Sequence, residues 1–140
     1  RIENDLKELK ERGVGLSFDF SDQPQHECVD IAMPHVDYAF FSFQDDSPEL
    51  REFLTRCWSK GPKFVVATLG ENGSIGYDGS QFVEQGILDV PVIDTMGCGD
   101  SFIAGFLYAV LKGSDLKHCL QSGAESAAVT IQVNGAWPVE

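Results

Sequence analysis

The chain has 140 residues, which allows one compact domain with a hydrophobic core but not two. Hydrophobic residues make up 43 % of the chain, as in a globular protein and unlike a disordered one. The formal net charge of −12 argues against nucleic acid or an anionic membrane as partner, because phosphate backbones require clustered Lys and Arg. A small anion is still allowed, since backbone N–H groups hold one locally whatever the net charge.

No apolar run approaches the length of a membrane-spanning helix, and no charged-then-apolar leader opens the chain. The four cysteines stand singly, without Cys-x-x-Cys spacing, which weakens both a metal-site and a disulfide interpretation. We therefore expect a cytoplasmic protein with reduced thiols. The first residues, Arg1-Ile2-Glu3, are not a natural start and suggest a piece of a longer protein.

Apolar periodicity predicts helices alternating with strands along one domain, residues 1–140. The first half of the chain predicts a helix from Ile2, a strand over Val14–Phe20, a short helix over Glu27–Met33, a strand over Tyr38–Phe41 and a helix after Ser47-Pro48. A strand over Lys63–Leu69, a hairpin of 74–77 and 81–83, and an extended segment over Val90–Ile93 follow. The chain then predicts a helix from Gly97 to Gly113 and a last helix that is capped by Ser114 and ends near Ile131. Such alternation predicts parallel βαβ units in an α/β fold, with ligands beyond the carboxyl ends of the strands.

The most informative segment is a pair of glycines just before a predicted helix, Gly97-Cys98-Gly99-Asp100. Glycine lets the backbone approach a ligand closely and adopt turns closed to other residues. The N–H groups of this turn would point outward at the positive end of the helix dipole, which favours a phosphoryl group. A hydroxyl held between that group and Asp100 would lose its proton to the carboxylate as its oxygen attacks phosphorus. The segment thus predicts an anion hole with Asp100 as base.

The same four residues also fit a simpler interpretation, a tight turn followed by a helix-capping acid, because short glycine motifs often match by chance. A dinucleotide-binding fingerprint fits less well, since it would need a third glycine where Phe102 stands. No Walker A lysine accompanies the glycines. Spacing alone therefore leaves a phosphate site and a structural turn both open.

Three segments together resemble one family. The run from Asp94 to Phe102, Asp-Thr-Met-Gly-Cys-Gly-Asp-Ser-Phe, closely resembles the D-T-x-G-A-G-D-x-F signature of the ribokinase-like carbohydrate kinases, the phosphofructokinase B family. Thr68-Leu69-Gly70-Glu71-Asn72-Gly73 is similar to the family's T-L-G-x-x-G nucleotide loop, and Ser42-Phe43-Gln44-Asp45 stands where the family has N-x-x-E. The resemblance implies an α/β, three-layer ribokinase-like sandwich with a mainly parallel central sheet, of which this chain is the C-terminal, nucleotide-binding half.

The resemblance implies a role for each matching position. Asp100 would be the base, and Gly97, Cys98 and Gly99 would form the anion hole over the transferred phosphoryl group. The nucleotide would contact Ser42, Thr68, Leu69, Gly70, Glu71, Asn72, Gly73 and Gly99. Asp45 would act on Mg²⁺, directly or through water, and backbone oxygens of Asp94, Met96 and Gly135 would hold a monovalent cation such as K⁺. The last helix would border the adenine around residues 123–127.

The function implied is transfer of the ATP γ-phosphoryl group to a hydroxyl of a sugar or a sugar–amine conjugate. Cys98 replaces the usual alanine, which an anion hole made of backbone tolerates. Ser42 and Asp45 replace Asn and Glu, which leaves open a nucleotide-binding relative that has lost catalysis. Because the family's sugar-binding and lid portion is absent, we expect these 140 residues alone to be inactive. Family dimers often use that lid, so the resemblance allows a homodimer of the full-length protein.

Overall fold

The computed structural model describes residues 2–13, 15–90 and 97–132, which contain a β-sheet. Its five strands are β1 (Ser17–Asp19), β2 (Tyr38–Ser42), β3 (Phe64–Thr68), β4 (Ser74–Tyr77) and β5 (Phe82–Gln85), neighbours in that order. The helices are α1 (Ile2–Glu11), α2 (Glu27–Ala32), α3 (Pro48–Trp58), α4 (Cys98–Leu111) and α5 (Leu116–Ile131). Within the described ranges, no helix combines the length and apolar character needed to cross a membrane.

The chain divides into two compact units. The first contains Arg1–Gly70 with Gly76–Phe82, and the second contains Glu71–Ile75 with Val83–Glu140. Each unit has its own core, in the sheet for the first and between α4 and α5 for the second. The single-domain interpretation of residues 1–140 stays a prediction.

The first unit is built from parallel βαβ connections. β1 pairs with β2 and β2 with β3, both parallel, and α2 and α3 connect them in turn. The register places Ser42 opposite Thr68 at the carboxyl ends of β2 and β3. Both strands are buried apolar runs, as expected for parallel strands covered by helices. Their buried residues are Ala39, Phe40, Phe41, Val65, Val66 and Ala67.

Asp37 connects the start of β2 to α1. Its side chain is buried, forms an ion pair with Lys10, and accepts a hydrogen bond of 2.9 Å from the backbone N–H of Leu16. Burial raises the pKa of the Asp37 carboxyl, but the bonds from Lys10 and Leu16 outweigh it and hold the pKa below its ordinary value. A buried carboxylate is tolerated here because it is paired and hydrogen-bonded.

The second unit depends on a close approach of α4 to α5. A Cβ added at Gly105 would lie 2.3 Å from Oγ of Ser126, and one added at Gly123 would lie 2.9 Å from the Phe102 ring. Ser122 Oγ donates a hydrogen bond of 2.7 Å to the Gly105 carbonyl oxygen. Because glycine has no side chain, the backbone of each helix packs directly against side chains of the other at these two positions.

Most predicted elements are confirmed, and the differences lie at their ends. The predicted strand Val14–Phe20 forms only over Ser17–Asp19, and Val14 lies outside the described residues. α5 is capped by Asp115 and not by Ser114, since the Asp115 carboxylate accepts the His118 N–H at 3.0 Å. The second hairpin strand runs over Phe82–Gln85 and not over 81–83. Of the extended segment Val90–Ile93, only Val90 is described, without regular structure.

Candidate active site

The N-terminus of α4 has the backbone geometry of an anion site. Gly97 is the N-cap residue, with φ +81° and ψ 0°, a left-handed conformation that strongly favours glycine. The first hydrogen bond of the helix runs from the Ser101 N–H to the Gly97 carbonyl oxygen at 2.9 Å. The N–H groups of Cys98, Gly99 and Asp100 therefore precede the first intrahelical bond, at the positive end of the helix dipole.

Gly99 and Asp100 are both on this first turn, and the Asp100 side chain is exposed. A Cβ added at Gly99 would meet no described atom within 4 Å, so packing does not require glycine there. Among the described residues, no hydrogen bond or ion pair engages the Asp100 carboxylate. The described part of the chain thus shows a tight turn at Gly97 followed by an acid in the first turn of α4, and this geometry fits both a phosphate site and a structural turn.

Cys98 contributes its backbone to the turn while its side chain points to α5. Its Sγ lies 3.8 Å from the Ala127 carbonyl oxygen, and the residue is half-buried. An alanine-sized position thus accommodates the larger thiol without loss of the helix start. The four cysteines, all among the described residues, form no disulfide.

A second group of predicted residues lies at the carboxyl edge of the parallel strands in the first unit. Ser42 Oγ and Thr68 Oγ1 are 3.4 Å apart, and Thr68 also donates to the Phe41 carbonyl oxygen at 3.3 Å. The Phe43 N–H donates to the Thr68 carbonyl oxygen at 2.9 Å. The structure therefore brings Ser42 and Thr68 together, where α/β sheets bind ligands.

The predicted nucleotide loop follows Thr68 directly. Leu69 is buried and anchors the loop, whereas Gly70–Asn72 form a 3₁₀ turn with no buried residue. Gly70 has φ +58°, and a Cβ added there would meet no described atom within 4 Å, so its conformation and not its packing selects glycine. Gly73 has φ +90°, and a Cβ there would lie 2.1 Å from the Gln85 carbonyl oxygen. The loop is thus a fixed turn that presents residues 70–72 to solvent.

The residues predicted to hold cations are only partly described. Asp45 is exposed in the loop after β2, three residues beyond Ser42. Among the described residues, no group of three or more His, Cys, Asp or Glu side chains is arranged to hold a metal. Mg²⁺ is usually bound by one or two carboxylates together with substrate phosphates, and a single carboxylate such as that of Asp45 fits this kind of binding. Asp94, Met96 and Gly135, the predicted ligands of a monovalent cation, lie outside the described residues.

The end of β1 brings a further polar group to the same edge, which sequence reasoning did not include in the site. The Ser21 carbonyl oxygen accepts the Ser42 N–H at 2.7 Å, and the Asp19 carboxylate accepts the Ser21 N–H at 2.7 Å. Ser21 has φ +53°, the one positive φ among the described non-glycine residues. The Asp-x-Ser pattern after an apolar strand was the available signal, since such residues form side-chain-to-backbone turns.

The family follows from comparison with known proteins. Residues 19–139 match the family described as pfkB family carbohydrate kinase. The chain belongs to this family of carbohydrate kinases.

Its sequence is similar to fructoselysine 6-kinase of Escherichia coli (strain K12), at 43 % identity over 96 % of this chain and 52 % of that protein. It is also similar to fructosamine kinase FrlD of Bacillus subtilis (strain 168), at 41 % identity over 98 % of this chain and 48 % of that protein. The Phe18–Asp22 segment and the Gly135-Ala136-Trp137 run suggest a resemblance to fructoselysine 6-kinase, and the comparison confirms that resemblance for the chain as a whole.

The fold has solved counterparts. Arabidopsis thaliana ribokinase, in a structure with ribose and ATP, superposes with a TM-score of 0.80 at 26 % identity, over 94 % of this chain and 46 % of that one. The predicted ribokinase-like α/β class is therefore confirmed. The chain spans about half the length of the curated relatives it matches.

Proposed function

We propose that the full-length protein carrying this chain transfers the γ-phosphoryl group of ATP to a sugar hydroxyl, with Asp100 as the base. Membership of the carbohydrate kinase family supports a phosphotransferase. The observation that carries the proposal is the first turn of α4, where an exposed carboxylate with no bonded partner among the described residues adjoins three N–H groups that precede the helix hydrogen bonds. Amides at a helix N-terminus favour an anion, and the adjacent carboxylate would receive the proton of the incoming alcohol.

The chemistry is an in-line displacement at phosphorus. The sugar hydroxyl oxygen attacks the γ-phosphorus, the bond from phosphorus to the bridging oxygen breaks, and ADP leaves. Asp100 accepts the hydroxyl proton, while the N–H groups of Cys98, Gly99 and Asp100 donate to the oxygens of the transferred group. Mg²⁺, when bound, neutralises charge on the phosphates.

Several predicted residues would contact the nucleotide or the cations bound with it. The exposed backbone of the Thr68–Gly73 loop and the hydroxyl of Ser42 would contact ATP, and Asp45 would reach Mg²⁺ directly or through water. Residues 123–127 of α5 would border the adenine. Asp94, Met96 and Gly135 would hold K⁺ through backbone oxygens. Because the proposed reaction consumes ATP, we propose that the protein acts in the cytoplasm.

The substrate proposed is a fructosamine-type sugar–amine conjugate. Support comes from the names of the relatives, fructoselysine 6-kinase and fructosamine kinase, which match the chain at 43 % and 41 % identity. A nucleotide-binding protein without catalysis is the alternative, favoured by Ser42 and Asp45 in place of the family's Asn and Glu. The Asp100 carboxylate, which has no hydrogen bond or ion pair among the described residues, counts against that alternative, because mere anion binding gains nothing from an adjacent negative charge.

A turnover screen of the full-length protein separates these functions. We expect ATP consumption that depends on an added fructosamine such as fructoselysine, with weaker turnover of free fructose or ribose. Tight ATP binding with no ATP consumption in the presence of any of these sugars would establish the alternative, a nucleotide-binding protein without catalysis. Turnover of an unmodified sugar only would support the proposed kinase activity but refute the proposed fructosamine substrate.

A further inference from the structure

We infer that the hydroxyl pair of Ser101 and Thr130 is a positioning device for Asp100, an inference that rests on the proposed function. Ser101 Oγ and Thr130 Oγ1 lie 2.5 Å apart, a hydrogen bond between the first turn of α4 and the last turn of α5. Neither side chain would touch a reactant in the proposed mechanism. Their role is to fix the backbone that carries Asp100.

Ser101 is suited to this role by its place in the chain. It follows Asp100 directly, and its own N–H closes the first hydrogen bond of the helix by donating to the Gly97 carbonyl oxygen at 2.9 Å. One residue thus holds the anion-hole turn through its backbone and connects it to α5 through its side chain. Both hydroxyl residues are half-buried, so the hydrogen bond is partly shielded from competing water.

α5 is a firm support for this connection. Gly105 lies against Ser126, and Gly123 lies against Phe102, in contacts too close for any larger residue. Ser122 adds a hydrogen bond of 2.7 Å to the Gly105 carbonyl oxygen in the middle of the same helix pair. The Cys98 Sγ contact with the Ala127 carbonyl oxygen is long, at 3.8 Å, and thiols are weak donors. The Ser101–Thr130 bond is therefore the strong polar connection at the catalytic end of this interface in the described part of the chain.

The expected effect is on the chemical step. Asp100 is exposed and has no described partner of its own, so its position depends on the turn that bears it. Small misplacements of a reacting group lower turnover strongly, by up to about 100-fold for 1 Å. Loss of the hydroxyl pair should therefore lower kcat while leaving the affinity for ATP nearly unchanged.

The test compares four variants of the full-length protein. Ser101→Ala and Thr130→Val each remove one hydroxyl, Thr130→Ser retains it, and Ser122→Ala removes the other interhelical hydroxyl bond as a matched control. We expect the first two to lower kcat roughly tenfold, as partial misplacement predicts, with KM for ATP within about twofold of wild type. Thr130→Ser should retain wild-type kcat, and Ser122→Ala should lower stability but not kcat. The double variant Ser101→Ala with Thr130→Val should be no slower than either single variant.

Amide hydrogen exchange of residues 98–104 gives a readout independent of turnover. We expect faster exchange in Thr130→Val and not in Thr130→Ser or Ser122→Ala. Wild-type kcat in Thr130→Val, or an equal loss of kcat in Ser122→Ala, would overturn the positioning role. If the wild-type protein turns over no sugar, the proposed function fails; the positioning role then falls with it as a catalytic device, while faster exchange would still reveal the structural connection.

Discussion

Gly97 and Gly99 stand on either side of Cys98, and the structure gives them different reasons to be glycine. Gly97 needs a left-handed backbone, with φ +81°, to begin α4. Gly99 is inside the helix, where glycine costs stability relative to alanine, and no described atom would contact its Cβ. Under the proposed function, the absence of a side chain at Gly99 would leave room over the amides for the transferred phosphoryl group.

Replacing each glycine with alanine should separate stability from activity. Gly97→Ala should destabilise the protein by about 1–2 kcal/mol, the cost of a left-handed residue with a Cβ. Gly99→Ala should leave stability unchanged or raise it by up to about 1 kcal/mol, yet lower kcat about 10- to 100-fold by crowding the phosphoryl group. Urea unfolding and steady-state kinetics of the full-length variants measure both effects. Normal kcat in Gly99→Ala would show that the amides of this turn do not approach the reactant.

At the scale of elements, the buried Asp37 carboxylate joins α1 to the start of β2. Folding lowers its pKa, so its stabilising effect is complete above the ordinary value of 3.8 and is lost as pH falls through the lower folded value. Asp37→Asn should therefore cost about 1–3 kcal/mol at pH 7, since the Lys10 and Leu16 donors lose a charged acceptor. The difference between wild type and variant should shrink as the pH falls below 3.8.

Urea unfolding of both proteins between pH 7 and pH 3 checks this expectation. A difference that stays constant over the whole range would mean that the charge of Asp37 contributes nothing. Lys63→Met should have a smaller effect of the same sign, because the Lys63 side chain lowers the Asp37 pKa only through its charge and forms no ion pair with it among the described contacts.

Caps illustrate what could be predicted about elements and what could not. Ser47 before Pro48 was an unambiguous start, and the Ser47 Oγ accepts the Leu50 N–H at 3.0 Å as expected. Before α5 two capping residues are adjacent, Ser114 and Asp115, and either side chain is suitable by type. The choice depends on which residue the tight turn after α4 leaves in extended conformation, which is Asp115 with φ −75° and ψ 172°. That backbone geometry follows the turn that ends α4, in which Gly113 has φ +79° and the Ser114 N–H donates to the Ala109 carbonyl oxygen at 3.1 Å.

At the scale of the whole molecule, some features of the candidate site could be predicted from the sequence and others could not. The Gly97–Asp100 turn and the Thr68–Gly73 loop could be predicted because glycine and turn residues there have a local physical reason. The Ser42–Thr68 contact follows from parallel register, which apolar patterning predicts only in outline. The Ser101–Thr130 bond joins residues 29 positions apart on two helices, and no periodicity signals which pair of small polar side chains will meet.

The 140 residues alone should lack kinase activity, because the chain spans about half the length of its curated relatives. Among the described strands, β1 pairs only with β2, so one edge of the sheet offers unpaired backbone groups to another chain. We expect the isolated chain to self-associate in size-exclusion chromatography and to give no sugar-dependent ATP turnover. The full-length protein is the positive control. Robust turnover by the isolated monomer would contradict this prediction.

The role of Asp100 is tested most directly by the kinetics of Asp100→Asn in the full-length protein. Asparagine keeps the size of the side chain but cannot take the hydroxyl proton, and a general base contributes roughly 10²- to 10⁴-fold to rate. Asp5→Asn, at another exposed carboxylate on α1, is the control. We predict that Asp100→Asn lowers kcat by about 10³-fold and leaves ATP affinity nearly unchanged, whereas Asp5→Asn behaves as wild type. Near-normal kcat in Asp100→Asn would contradict the assignment of Asp100 as the base.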